Sequence, residues 1–159
     1  MEKNVQLAAG WYLLAAKQGY APAQYRLGIC YDNGRGVKKD LNQAAVWYYT
    51  AAKQGYAEAQ YNLAVCYHFG SGVKEDLHSA VYWYTKAAEQ GYEKAKHALK
   101  WMNNAVRYFY AAEKGNAEAQ YNLAQCYVNG DGVEKNPLRA VYWYTKAAEQ
   151  GECNAQYSL

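Results

Sequence analysis

The dodecapeptide Ala80-Val81-Tyr82-Trp83-Tyr84-Thr85-Lys86-Ala87-Ala88-Glu89-Gln90-Gly91 returns unchanged at Ala140–Gly151. Exact self-similarity of this kind is the mark of a repeat architecture. Aligning on the Ala-Ala-x-x-Gly pentad places repeat starts at Ala15, Ala51, Ala87, Ala111 and Ala147, spaced by 36, 36, 24 and 36 residues. Residues 51–86 and 111–146 agree at 23 of 36 positions. The sequence thus reads as one repeat array over 1–159: a half-unit 1–14, repeats 15–50 and 51–86, a shortened repeat 87–110, a repeat 111–146 and a half-unit 147–159. Trp11 and Tyr12 stand where Trp47 and Tyr48 stand one unit later. A fragment, a trimmed chain or a chain capped by half-units would all begin and end in mid-unit like this.

Composition narrows the class. The 159 residues hold 19 Tyr and 5 Trp but only 2 Phe, with 2 Pro and 13 Gly. That many aromatics argues against disorder. No run approaches eighteen apolar residues, so no membrane insertion is expected. A net charge of +3, evenly spread, argues against a nucleic-acid partner. No apolar run follows a basic start, so no secretory signal is visible and the cytoplasm is the favoured compartment.

Each full unit reads as two helices. In the second, Ala59, Leu63 and Cys66 recur at i, i+4, i+7 along a first helix. Gly70-Ser71-Gly72-Val73 breaks it, and Asp76 is placed to cap a second helix. Ala80, Trp83, Tyr84, Ala87 and Ala88 form that helix's apolar face. Gly91 ends it, with Tyr92 supplying the apolar contact of a Schellman ending. The same reading holds at Gly34–Val37 with Asp40, and at Gly130–Val133 with Asn136 and an N1 proline at Pro137. One pair cannot bury its apolar faces alone, whereas stacked pairs can, so the expected fold is an all-α solenoid.

The joint pattern of A-A-x-x-G, A-Q-Y-x-L-x-x-C-Y, G-x-G-V-x-x-D and A-x-x-W-Y resembles the Sel-one-like repeat, a relative of tetratricopeptide arrays. The resemblance implies a right-handed superhelix of antiparallel helix pairs. It also implies adaptor proteins that hold other proteins, with first helices lining the concave surface. This sequence departs from the family twice. Tyr20, Tyr56 and Tyr92 stand where many members place a polar cap, a chemistry kept only by Asn116, so these Tyr either weaken the cap or pack instead. The third unit lacks twelve residues, including the Gly-x-Gly-Val loop and the capping Asp. Ala95, Leu99, Met102, Val106 and Phe109 form an unbroken 4-3-4-3 stripe there. Two forms are open: one long helix over 92–114, or a tight hairpin turning at Asn103-Asn104. A long helix raises the prospect of a swapped dimer beside the monomer.

Chemistry candidates are few. Cys30, Cys66 and Cys126 share one repeat slot, about a helix-pair layer of 10 Å apart, beyond disulfide reach. They are read as buried free thiols, and Cys153 has no evident partner. His68, His78 and His97 occupy three different slots and are read as solvated, with no metal-ligand spacing. Ser71-Gly72-Val73-Lys74 matches S-x-x-K, but its companion motifs are absent and the equivalent loops carry no Ser. Some proteins of the resembled family are linked to β-lactams, so a β-lactam-interacting or hydrolytic enzyme is one alternative. A glycan or cell-wall binding module, suggested by the Tyr-rich faces, is another. No catalytic set, metal or cofactor is expected.

The primary expectation is a non-catalytic scaffold holding a peptide or protein in the groove of first helices. Between-unit variation selects the candidates: Arg26 and Ile29, with Pro22, in one unit; Asn62 and Val65, with Glu58, in the next; Asn122 and Gln125, with Glu118, in the last. The repeated pairs Gln24-Tyr25, Gln60-Tyr61 and Gln120-Tyr121 are added as polar and aromatic grip. Packing between helices is the competing reading for these Tyr.

Overall fold

A computed structural model describes the backbone over residues 2–158 and side chains over 4–158; Met1 and Leu159, the outer ends of the two half-units, lie outside the described residues. Among the described residues every regular element is helical. They run α1 (Glu2–Lys17), α2 (Ala21–Asn33), α3 (Leu41–Lys53), α4 (Ala57–Phe69), α5 (Leu77–Glu89), α6 (Glu93–Glu113), α7 (Ala117–Asn129), α8 (Pro137–Glu149) and α9 (Cys153–Ser158). The chain divides inside α6: one compact unit ends at His97 and another begins at Ala98.

In the first unit α2 pairs with α3 and α4 with α5, while α1 packs on α2 and α3 on α4. Ala44, Ala45, Ala51, Ala52 and Ala59 are fully buried around Tyr48 and Leu63. Their methyl-sized side chains let the helix backbones approach, and the large rings fill the space between layers. In the second unit α7 pairs with α8 and α9 packs on α8. Leu123, Ala124, Tyr127, Val133 and Ala147 are buried there.

The expected caps form. Asp40 Oδ1 accepts from Gln43 N at 3.0 Å, Asp76 Oδ1 from His78 N at 3.0 Å, and Asn136 Oδ1 from Arg139 N at 3.1 Å. Pro137 opens α8. Tyr92 N donates to Ala87 O at 3.1 Å and Gly91 N to Ala88 O at 2.9 Å, the paired bonds of a Schellman ending. Tyr20 and Tyr56 make no side-chain cap bond, whereas Asn116 Oδ1 accepts from Ala119 N at 2.7 Å.

The shortened repeat is one continuous 21-residue helix. Asn103 and Asn104 lie exposed within it. No Gly or Pro interrupts the segment, so nothing offsets the loss of intrahelical hydrogen bonds that a turn requires. Of the expected stripe Ala95, Met102 and Phe109 are buried, while Leu99 and Val106 are half-buried. Ala105 and Ala112 are buried as well. The 3-4-3 spacing of Met102, Ala105, Phe109 and Ala112 keeps the heptad alternation, with the intermediate positions moved from Leu99 and Val106 to Ala105 and Ala112.

The second glycine of each inter-helix loop is fixed by close approach. Gly72 has φ +72, and a Cβ on it would run into the Leu41 carbonyl at the start of α3. Gly132, φ +74, leaves room for a Cβ only 2.9 Å from Trp101 O and 3.1 Å from Met102 Cα. Gly55, at φ +88, faces open space. Gly72→Ala is therefore expected to lose about 2–4 kcal/mol, combining left-handed strain with overpacking. Gly55→Ala is expected to lose only about 1–2 kcal/mol of conformational strain. Urea unfolding of both variants measures the difference; equal losses would refute the close-approach account.

Candidate functional site

The structure separates the sequence candidates into packed and available side chains. Gln24, Gln60 and Gln120 are buried, with 3–4% of their surface exposed. Gln24 Nε2 donates to Ala16 O at 3.1 Å, Gln60 Nε2 to Ala52 O at 3.2 Å and Gln120 Nε2 to Ala112 O at 3.1 Å. Each carbonyl partner sits at the end of the preceding helix, where no intrahelical donor remains. Each Oε1 in turn accepts a 2.7 Å bond from a glutamine thirty residues on: Gln54, Gln90 and Gln150. These amides are thus committed on both sides to holding helix ends together, which corrects their assignment as surface grip.

Tyr25, Tyr61 and Tyr121 are half-buried and pack between helices. Tyr25 lies 6.1 Å from Tyr48 and 5.3 Å from Tyr56, ring centre to ring centre. Tyr61 stands 5.6 Å from Tyr84 and 5.3 Å from Tyr92, and Tyr121 5.7 Å from Tyr144. Of the Tyr that replace the polar cap, Tyr56 and Tyr92 thus pack on a ring of the preceding unit, whereas Tyr20 is exposed. Burial pushes the Tyr48 and Tyr84 hydroxyls far above their ordinary range. Tyr48 Oη donates to Asp32 Oδ2 at 3.2 Å and also bonds Asn62.

Arg26 is exposed, and Ile29, Val65, Asn122 and Gln125 are half-exposed. Arg26 and Ile29 line a cavity of about 270 Å³ with Asn4, Val5, Ala8, Tyr12, Cys30 and Arg35. Asn122 and Gln125 line one of about 390 Å³ with Trp101, Asn104, Tyr108, Cys126, Asp131 and Gly132. Gln125 Nε2 donates to Tyr121 Oη at 3.1 Å. The sequence reading missed Arg35, Trp101, Asn104 and Tyr108. Arg35 had a legible signal, because its loop slot holds Ser71 and Asp131 in the other units. The α6 residues had none, since their placement depends on the continuous helix.

The second helices present a different surface. Tyr49, Tyr82, Trp83, Lys53 and Lys86 surround a depression of about 380 Å³. Tyr49 meets Trp83 edge-on at 6.2 Å, and Lys53 Nζ sits 5.5 Å from the Tyr49 ring centre.

Cys30, Cys66 and Cys126 are free and buried, and Cys153 is free and exposed. Burial raises all three inner thiols, Cys66 to about 12 and Cys126 to about 11. His68 corrects the expectation of solvated histidines: it is buried, stacked on Phe69 at 4.3 Å, with Nδ1 3.4 Å from Tyr84 Oη. His78 and His97 are exposed. Ser71 N donates to Cys66 O at 2.9 Å, Lys74 is exposed, and no bond joins their side chains among the described residues. No group of three or more His, Cys, Asp or Glu among the described residues is placed to hold a metal. No described helix is long and apolar enough to cross a membrane.

Stacked helix pairs with Gly-x-Gly loops and repeated Ala, Gln and Tyr slots define a helical-repeat scaffold. The family model of the Sel1 repeat matches residues 1–20, 21–56, 57–92 and 117–152, and the chain belongs to that family. Residues 93–116, which contain α6, and 153–159 lie outside the matched spans. The chain is 37% identical over 164 residues to the rat DAP3-binding cell death enhancer 1, covering 96% of this chain and 32% of that protein. It is 48% identical over 44 residues to an exopolysaccharide production negative regulator of Rhizobium meliloti, covering 28% of this chain and 16% of the regulator. The chain spans about a third or less of the curated relatives it matches. Among solved structures, a Sel1 repeat protein from Oxalobacter formigenes superposes with a TM-score of 0.58 at 35% identity, covering 94% of this chain and 64% of that one. A protective antigen of uropathogenic Escherichia coli with an SLR fold gives 0.56 at 38%, covering 92% and 34%. Sel1 repeat proteins are generally non-catalytic scaffolds for protein interaction.

Gln60→Ala removes two side-chain hydrogen bonds, although the Ala52 carbonyl keeps Gly55 N at 2.9 Å and Gln90 Nε2 keeps Lys86 O at 3.4 Å, and is expected to lose about 1–3 kcal/mol in urea unfolding. A loss indistinguishable from zero would contradict the structural role of this slot. At pH 7.5 a maleimide is expected to modify Cys153 alone in the folded protein and all four thiols in urea, read by mass spectrometry. The inner thiols also set an alkaline limit. The unfolded chain releases their protons from the ordinary value of 9.0, while the folded chain holds Cys66 to about 12. Their contribution to stability is full below pH 9 and is lost as pH rises through 12. Cys66→Ala should flatten that decline in denaturation profiles.

Proposed function

We propose that the protein is a non-catalytic scaffold that holds a segment of a protein partner along its first-helix faces. The observation that carries this is where variation falls. The Ala, Gln and Tyr slots that pack repeat from unit to unit. The slots of Arg26 and Ile29 hold Asn62 and Val65, and then Asn122 and Gln125, in the other full units. Slots that differ between units are less bound by the shared packing and are open to selection by a partner. The two cavities also suit different parts of a polypeptide. Asn104 and Asn122 each offer an amide donor and acceptor matched to a peptide main chain, beside the half-exposed Trp101 ring. Membership of the Sel1 repeat family supports the same reading.

The aromatic depression at Tyr49, Tyr82 and Trp83 favours a second reading, a glycan-binding face. It is distinguished by position, because it lies on second helices. Affinity capture from native lysate, followed by quantitative mass spectrometry, tests the first reading. Arg26→Ala/Ile29→Ala and Asn122→Ala/Gln125→Ala are each expected to weaken partner retention by about tenfold or more, while Tyr82→Ala leaves it unchanged. Retention indifferent to both groove variants but lost with Tyr82→Ala would move the binding face to the second helices.

A further inference from the structure

We infer that the groove between α1 and α2 takes an acidic side chain of the partner, an Asp or Glu flanked by apolar residues and internal to its segment. The inference rests on the scaffold reading above and assigns the chemistry of one position in it. Arg26 and Arg35 line the same cavity of about 270 Å³, and the remaining described lining is Asn4, Val5, Ala8, Tyr12, Ile29 and Cys30. No described lining residue is a carboxylate. Neither guanidinium has an ion pair within 4 Å among the described residues. Two cations lining one cavity with no carboxylate among its described lining leave a local positive field whose complement is an anion.

Two described acids near Arg26 have other contacts. Asp32, on the same helix, accepts the Tyr48 hydroxyl bond at 3.2 Å. Glu58, on α4, acts together with Arg26 on the Tyr25 and Tyr56 hydroxyls, and no salt bridge within 4 Å joins the two among the described residues. Arg26 itself is positioned by its own helix, with Cζ 6.0 Å from the Tyr25 ring centre. Arg35 is positioned by the loop, where its N–H donates to Cys30 O at 2.9 Å. The guanidinium fork matches carboxylate geometry and is less strongly hydrated than an ammonium, so it suits a partly dry groove. Val5, Ala8, Tyr12 and Ile29 supply the apolar surface for the flanking residues.

The occupant passes through rather than ending there. A second cavity of about 510 Å³ is lined by Val5, Gln6, Gly34, Arg35, Gly36, Val37 and Lys38, and it shares Val5 and Arg35 with the first. The depression therefore continues beyond the paired arginines, with Lys38 as a further cation along the path. The other unit carries no such charge: the slot of Arg26 holds Asn122 and the loop slot of Arg35 holds Asp131.

The test is a peptide array of nonamers with acetylated and amidated ends and a central residue flanked by Val, Leu or Ile. Each sequence is made with Glu, Gln or Lys at the centre, and a parallel set ends in a free carboxylate after an apolar residue. The Glu set is expected to retain the full protein at least tenfold better than the Gln set, with the difference shrinking between 50 and 300 mM NaCl as exposed charges are screened. Arg26→Gln/Arg35→Gln should bring the Glu and Gln sets level, and Arg26→Lys/Arg35→Lys should keep part of the preference. Both residues have exposed or loop positions, and thermal melts establish that the variants fold. Equal retention of Glu and Gln sets by the parent protein overturns the inference. So does a preference that survives the double glutamine variant, or retention of the free-carboxylate set alone. If the Glu and Gln sets bind equally and Ile29→Asp abolishes both, the groove stands and only its acidic occupant falls. If no set binds, this groove is not a peptide site and the inference falls with it.

Discussion

A buried glutamine amide is the interaction on which the stacking depends. A helix ends with carbonyls that have no intrahelical donor, and an array of short helices multiplies such ends. Gln24, Gln60 and Gln120 each donate to one of these carbonyls and accept from the glutamine that closes the next second helix. One planar group, with a donor and an acceptor fixed at opposite sides, thereby joins three helix ends. Burial makes the bond directional in effect: a register that broke it would strand polar groups away from water. Where the repeat is shortened, both members of the pair are replaced. Lys96 stands in the buried slot and Lys114 in its partner's slot, and Lys96 pairs with Glu93 at 2.7 Å instead.

The aromatic content follows from the same geometry. Alanine at the closest approaches leaves gaps between layers that only rings fill. Tyr is favoured over Phe where one edge of the ring meets a polar group, as Tyr48 meets Asp32 and Asn62. Tyr56 and Tyr92 exchange a capping hydrogen bond for a ring contact with the Tyr of the preceding unit. The 19 Tyr are therefore mostly a small number of packing positions used repeatedly.

Function is left to the slots that packing does not claim. On the first-helix faces these carry two arginines at one cavity and amides with Trp101 at another. Helix α6 contributes Trp101, Asn104 and Tyr108 to the latter only because it runs on without a turn. The shortened repeat thus changes the chemistry of a cavity as well as the length of a helix.

Much of this was written in local sequence. Spacing fixed the helix pairs, the Asp40, Asp76 and Asn136 caps and the glycine loops, because each depends on residues within one or two turns. Variation between units singled out Arg26, Ile29, Asn122 and Gln125, since identical packing demands make any difference conspicuous. Other features depended on which groups meet at long range. Whether Gln24-Tyr25 faced a partner or the interior turned on a glutamine thirty residues away. Whether His68 was solvated turned on Phe69 and Tyr84 closing over it. Whether Asn103-Asn104 bent the chain turned on the balance between an uninterrupted hydrogen-bonded helix and the stacking of its neighbours. Short-range periodicity specifies the helices and their faces; only tertiary packing decides which polar groups on those faces are consumed in holding the fold and which are left over to bind.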